Sequence, residues 1–159
     1  MLFQEERQAV SYFLRNVPSP SIFLLFPGLF LYSTVHGAEW VHCITDAAGN
    51  NTYYDEESIV SIGKDAKKLK VRTDYSAKGK SDFIRSRISS GFGVQGYDKL
   101  SHSVTVWYIN CVKKENDLYS IFGYDTDDGI LSTYKAKEIV WEPTVPGIIG
   151  EIFHKIVCK

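Results

Sequence analysis

The stretch HSVTVWYINC, residues 102–111, reads as a strand with apolar or aromatic side chains on both sides. Val104, Val106 and Tyr108 fall on one face and Thr105, Trp107 and Ile109 on the other, because successive strand residues point to opposite faces. Apolar groups on both faces suit a strand in the middle of a sheet. Moving outward, Lys67 to Ser76 (KKLKVRTDYS) also alternates with period two, and so does Asp117 to Thr126 beyond the polar loop Lys113-Lys114-Glu115-Asn116. Asp128-Gly129 is a hairpin turn signal leading into Ile130 to Tyr134. Nearer the start, Glu39 to Thr45 sets Trp40, His42 and Ile44 against Val41 and Cys43, and Ala48-Gly49-Asn50-Asn51 turns the chain into Thr52-Tyr53-Tyr54-Asp55. Asp55 to Ile59 has one turn of helical character before Gly63. The expected architecture is a meander of antiparallel hairpins.

The period changes near the end of the chain. From Ile148, the apolar residues Ile149, Ile152, Phe153, Ile156 and Val157 recur at helical spacing and form one stripe. Pro146 suits the first helical turn, and Glu151 with Lys155 and Lys159 complements the helix dipole. The stripe needs a surface to cover, and a sheet with one face to bury supplies it. The expected fold class is therefore α+β, an antiparallel sheet with a C-terminal amphipathic helix across one face. Three cysteines allow three pairings. Cys111 with Cys158 is favoured because each ends a well-patterned element and a bond would fasten the last turn to the core. Cys43 is then left over, either buried as a small hydrophobe or available to a second copy of the chain, which keeps a homodimer open.

A different pattern occupies the start. Ile22 to Tyr32 (IFLLFPGLFLY) is an apolar run broken by Pro27-Gly28 and followed by small residues up to Gly37-Ala38. As a helix it would span only about 17 Å, short of a bilayer core of about 30 Å. It reads as a signal peptide over residues 1–37, cleaved after Gly37 so that Ala38 or Glu39 begins the mature chain. Removing 37 of the 159 residues leaves 122, enough for one domain over 38–159. The protein is expected to be exported, periplasmic or at the cell surface, with no membrane span after processing and in a compartment that permits disulfides.

With 18 basic and 19 acidic residues the chain lacks the charge of a nucleic-acid binder. Its cations are concentrated, however. Lys64, Lys67, Lys68, Lys70 and Arg72, followed by Lys78, Lys80, Arg85 and Arg87, form a candidate surface for an anionic polymer or an acidic protein. Catalytic patterns are sparse. Gly91-Phe92-Gly93-Val94-Gln95-Gly96 has dinucleotide-loop spacing but follows polar Arg85 to Ser90 instead of a buried strand, so it reads as a surface loop. Asp125, Asp127, Asp128 and Gly129 resemble a calcium-loop fragment out of register and read as a turn. His42, His102 and His154 have no metal-ligand spacing, and no nucleophile elbow is present. No cofactor, metal or catalytic residue is expected, and the protein is expected to be non-enzymatic.

Trp141, Val145-Pro146-Gly147, Glu151 and Val157-Cys158, with Asn110-Cys111 upstream, resemble the bacterial surface-adhesin protein E family. Trp40-Val41, Tyr54-Asp55, Ser58-Ile59 and Lys70-Val71 extend the resemblance over nearly all of residues 39–158. The resemblance implies an antiparallel sheet with a disulfide-tied C-terminal helix, an envelope location, and adhesion to host extracellular proteins. Cys43, the missing lipobox and the insertion-like stretch from Ser81 to Gly96 depart from the family pattern. The expected role is an adhesin-like binding module for extracellular or envelope macromolecules. The alternatives are a periplasmic structural or assembly factor and, behind it, a hydrolase or small-ligand carrier using the open sheet face.

Overall fold

The computed structural model describes residues 38–159, so the expected leader and its Gly37 cleavage position lie outside the described residues. Six strands follow one another across the sheet in chain order: β1 (Trp40–Thr45), β2 (Asn51–Ile62), β3 (Ala66–Asp74), β4 (Leu100–Asn110), β5 (Glu115–Asp125) and β6 (Ile130–Lys135). A two-residue β7 (Glu142–Pro143) pairs with β5, and every pairing is antiparallel. Helix α1 (Ala77–Ser89) lies between β3 and β4, and α2 (Ile149–Val157) ends the fold. β4 is central, flanked by β3 and β5, as its two-sided apolar pattern requires.

Register decides which side chains meet. Leu69 lies opposite Trp107, Val71 opposite Thr105 and Lys67 opposite Ile109, so these residues share one face. That face carries the core, in which Leu69, Ile109 and Phe153 are completely buried beside Val71 and Val157. Phe153 of α2 meets Trp107 edge-on with ring centroids 5.3 Å apart. Burying one such side chain contributes roughly 1.5–3 kcal/mol. A helix of 9 residues is too short to persist alone, since isolated helices below about 12–15 residues are marginal. Packing and covalent attachment must therefore hold it.

The expected disulfide forms, with Cys111 bonded to Cys158 across a Cα separation of 5.4 Å and a sequence separation of 47. Lys67 donates from Nζ to the Val157 carbonyl at 2.5 Å, placing a cation at the negative end of α2. At the other end Glu151 accepts the Gly147 N–H at 2.9 Å and pairs with Lys155 at 2.8 Å. These partners, the Gly147 N–H first, hold the Glu151 carboxyl below its usual range. Pro146 does not occupy the first helical turn. It precedes the cap residue Ile148, because α2 begins only at Ile149, where the stripe can reach the sheet.

A further local expectation is corrected. The region Asp55 to Ile59 is not a helical turn but an irregularity inside the 12-residue β2, between Asp55 and Val60. Ser58 keeps the strand together there by donating to the Asp55 carbonyl at 2.6 Å and accepting the Lys70 N–H at 2.8 Å. The adjacent Glu56 and Glu57 thus lie on an exposed bulge of the strand. The insertion-like stretch is largely helical. Ser76 caps α1 by accepting the Gly79 N–H at 2.9 Å, while its own hydroxyl donates to Ala48 O at 2.5 Å. Asn50 Oδ1 accepts the Ser76 N–H at 3.0 Å, so the β1–β2 turn sets the start of α1. Phe83 then sits between Tyr75 and Tyr97, at centroid distances of 5.4 and 5.8 Å.

Candidate binding face

Strand parity divides the five cations singled out in the sequence. Lys68 lies opposite Tyr108, Lys70 opposite Val106 and Arg72 opposite Val104, on the sheet face away from α2. Lys67 points to the helix side, where it caps α2. Lys64 occupies the exposed turn between β2 and β3. The structure therefore gathers three of the five, Lys68, Lys70 and Arg72, into a row along β3 and sends the other two elsewhere.

The same parity sorts the aromatics. Tyr54 and Trp107 pack against the core, whereas Tyr53 on β2, Tyr108 on β4, and Tyr119, Phe122 and Tyr124 on β5 lie on the cation side. Ring contacts confirm the assignment: His42 meets Tyr53 at 5.4 Å, His102 stacks on Tyr124 at 4.9 Å, and Tyr108 meets Tyr119 edge-on at 5.1 Å. Lys135 of β6 stands over the Tyr119 ring at 5.8 Å. The face is thus a row of cations between two aromatic banks, and neither helix of the described residues packs on it. The odd or even position of each aromatic along a paired strand is the signal that separates the two sets.

Charge on this face is partly answered within it. Arg72 Nε donates to Asp74 Oδ1 at 2.6 Å, and both side chains are about one-third exposed. Asp55, opposite Lys70, is buried, with Oδ1 lacking a hydrogen-bond partner among the described residues. Burial and the neighbouring Arg72 cation push the His102 imidazole below its usual pKa, against the opposing pull of Asp74 and Asp128. Lys68 and Lys70 are the members of the row with no carboxylate in an ion pair among the described residues, and they are the cations the face can offer to a partner.

Other sequence features take structural roles. Cys43 is a free, half-buried thiol that donates to Thr52 O at 3.2 Å, and burial pushes its pKa up. Asp125 closes the β5–β6 turn by accepting the N–H groups of Asp127 and Gly129 at 2.8 and 2.7 Å. His154 faces Cys111 O at 3.4 Å, and His42 faces the Thr45 hydroxyl at 3.1 Å. The glycine segment from Gly91 follows a helix and leads to a short 3-10 turn and a strand, an order opposite to that of a dinucleotide loop. A pocket of about 170 Å³ beside the disulfide is walled by Ser61, Lys64, Asp65, Lys67 and Lys159. It is smaller than the roughly 300–1,000 Å³ of small-molecule sites. No helix among the described residues is long and apolar enough to cross a membrane.

The family model described as surface-adhesin protein E matches residues 40–159. No curated protein and no solved structure matches the chain.

Proposed function

Because this chain belongs to the surface-adhesin protein E family, we propose that it is an exported, non-enzymatic adhesin-like module that binds an extracellular or envelope protein through the open sheet face. The observation that carries this reading is the row Lys68, Lys70 and Arg72 between aromatic banks, opposite the face that α2 buries. Aromatic rings contribute large contact area at low entropic loss, and cations among them select partners of negative potential. Residues 1–37 act in this reading as the signal peptide, and residues 38–159 as the binding domain.

The test is capture of the purified protein on immobilised matrix glycoproteins across a salt series. Saturable capture that weakens with salt is expected, with a Lys68→Glu/Lys70→Glu variant losing about tenfold or more in affinity. Failure of the wild-type protein to bind at low salt, or undiminished binding by that variant, refutes the assignment to this face.

A further inference from the structure

A second surface stands apart from the open sheet face, at the end of α1. Ile88 and Phe92 are 59% and 61% exposed, and the Arg85 side chain between them and the start of the helix is 78% exposed. Arg85 and Ile88 are three residues apart and project from the same side of α1. Phe92 lies just beyond the helix end, where the chain is tightly closed. The Gly91 N–H bonds to Ile88 O at 3.0 Å and the Phe92 N–H to Arg87 O at 2.9 Å. Gly91 takes φ +77° to allow this, the left-handed geometry that closes a helix with such a bond pair.

In that closure the residue at the Phe92 position commonly folds back onto the last turn. Here the Arg87 guanidinium intervenes. It stands 4.5 Å from the Tyr97 ring and 5.3 Å from the Phe92 ring, and its Nε donates to Gly93 O at 3.1 Å. The phenyl group is therefore stacked on Arg87 and left 61% exposed. Residues 77–99 also carry Lys78, Lys80, Arg85, Arg87 and Lys99 against Asp82 and Asp98, in a chain whose overall charge is −1. Asp82 pairs with Lys78 at 2.8 Å and Arg85 at 3.5 Å, which steadies those cations on the outer side of the helix.

We propose that this tip is a peripheral membrane-docking element, seating Phe92 and Ile88 at the acyl boundary of a bilayer while Arg85 and its neighbouring cations meet anionic headgroups. Protruding apolar groups with basic residues beside them have the composition that partitions into a lipid interface. A specific protein partner needs about 800 Å² of matched surface on each side. Two exposed side chains at a helix end do not offer that, but a fluid bilayer conforms to them.

The test is co-sedimentation of the protein, purified as the cell produces it, with phosphatidylcholine vesicles with and without phosphatidylglycerol. The wild type is expected to partition more strongly onto the phosphatidylglycerol vesicles, and less so as salt rises. Phe92→Ser with Ile88→Ser is expected to lose about tenfold or more of that partitioning, given the apolar area removed. Phe92→Trp should retain it, which separates lost contact from lost folding. Equal partitioning of the serine variant and the wild type overturns the proposal. So does equal binding to the two vesicle types, or capture of an acidic protein by the tip without any vesicle binding.

Discussion

Replacing Cys111 and Cys158 together by alanine removes the covalent tie while leaving β4 and the α2 stripe in place. In the chain-entropy treatment, opening a loop with a sequence separation of 47 releases unfolded-state freedom equivalent to about 4 kcal/mol. That is a large share of the 5–15 kcal/mol typical of a domain. The loss should show as a lower urea midpoint with a somewhat steeper slope, because the freed unfolded chain exposes more surface; at about 1–3 kcal/mol per molar the shift is about 1–4 M. The loss should also be uneven. α2 has 9 residues, and without the tie it is held by Phe153, Val157 and the Lys67 bond to the Val157 carbonyl. Amide exchange over 149–157 should therefore accelerate more than exchange in β4. Urea unfolding with hydrogen exchange on both proteins makes the check. A loss below about 1 kcal/mol, or protection of α2 equal to that in the wild type, refutes the reasoning that the clasp holds the helix on the sheet.

Two other expectations follow from buried polar contacts. Gly79→Ala drives a methyl group into Asn50 Oδ1, so Asn50 must give up its bond to the Ser76 N–H; the expected loss is about 1–3 kcal/mol, read by thermal or urea unfolding against an unaffected Ser81→Ala control. His102 is buried with a pKa depressed in the folded state, so on acidification the unfolded chain takes up that proton first. Its contribution to stability is full above the unfolded value of about 6.5 and falls as pH drops from there toward the folded value. A His102→Phe variant, which keeps a ring against Tyr124, should show a shallower acid-side decline in unfolding free energy; an unchanged slope contradicts this assignment.

Where local pattern and tertiary demand coincide, the sequence is a good guide. β4 is apolar on both faces and lies centrally, Asp128-Gly129 turns β5 into β6, and the stripe from Ile149 to Val157 forms α2. α1 escaped because its signals are not a stripe. It begins with a serine cap, contains Gly79 in its first turn, and is positioned by Asn50 and Ala48, which are distant in sequence. The full length of β2 is hidden in the sequence because Asp55 to Ser58 favours a turn locally. The Ser58 hydroxyl, bonded to the Lys70 N–H of the neighbouring strand, keeps it in the sheet.

The candidate face shows the same division. That residues 64–72 are rich in cations is plain from composition, but which of them share a surface depends on strand parity and register. Lys67 lies one residue from Lys68 yet ends on the opposite face, at the α2 carbonyl end. Local patterning was enough for the strand-rich α+β class and the closing helix, because periodicity and turn chemistry act over a few neighbouring residues, while the family rests on motif resemblance and the Cys111–Cys158 bond, favoured among three pairings, was settled by the fold. Only the tertiary structure decided α1, the exposed tip at Phe92 and the split of the basic stripe, because each depends on partners brought together by pairing across the sheet.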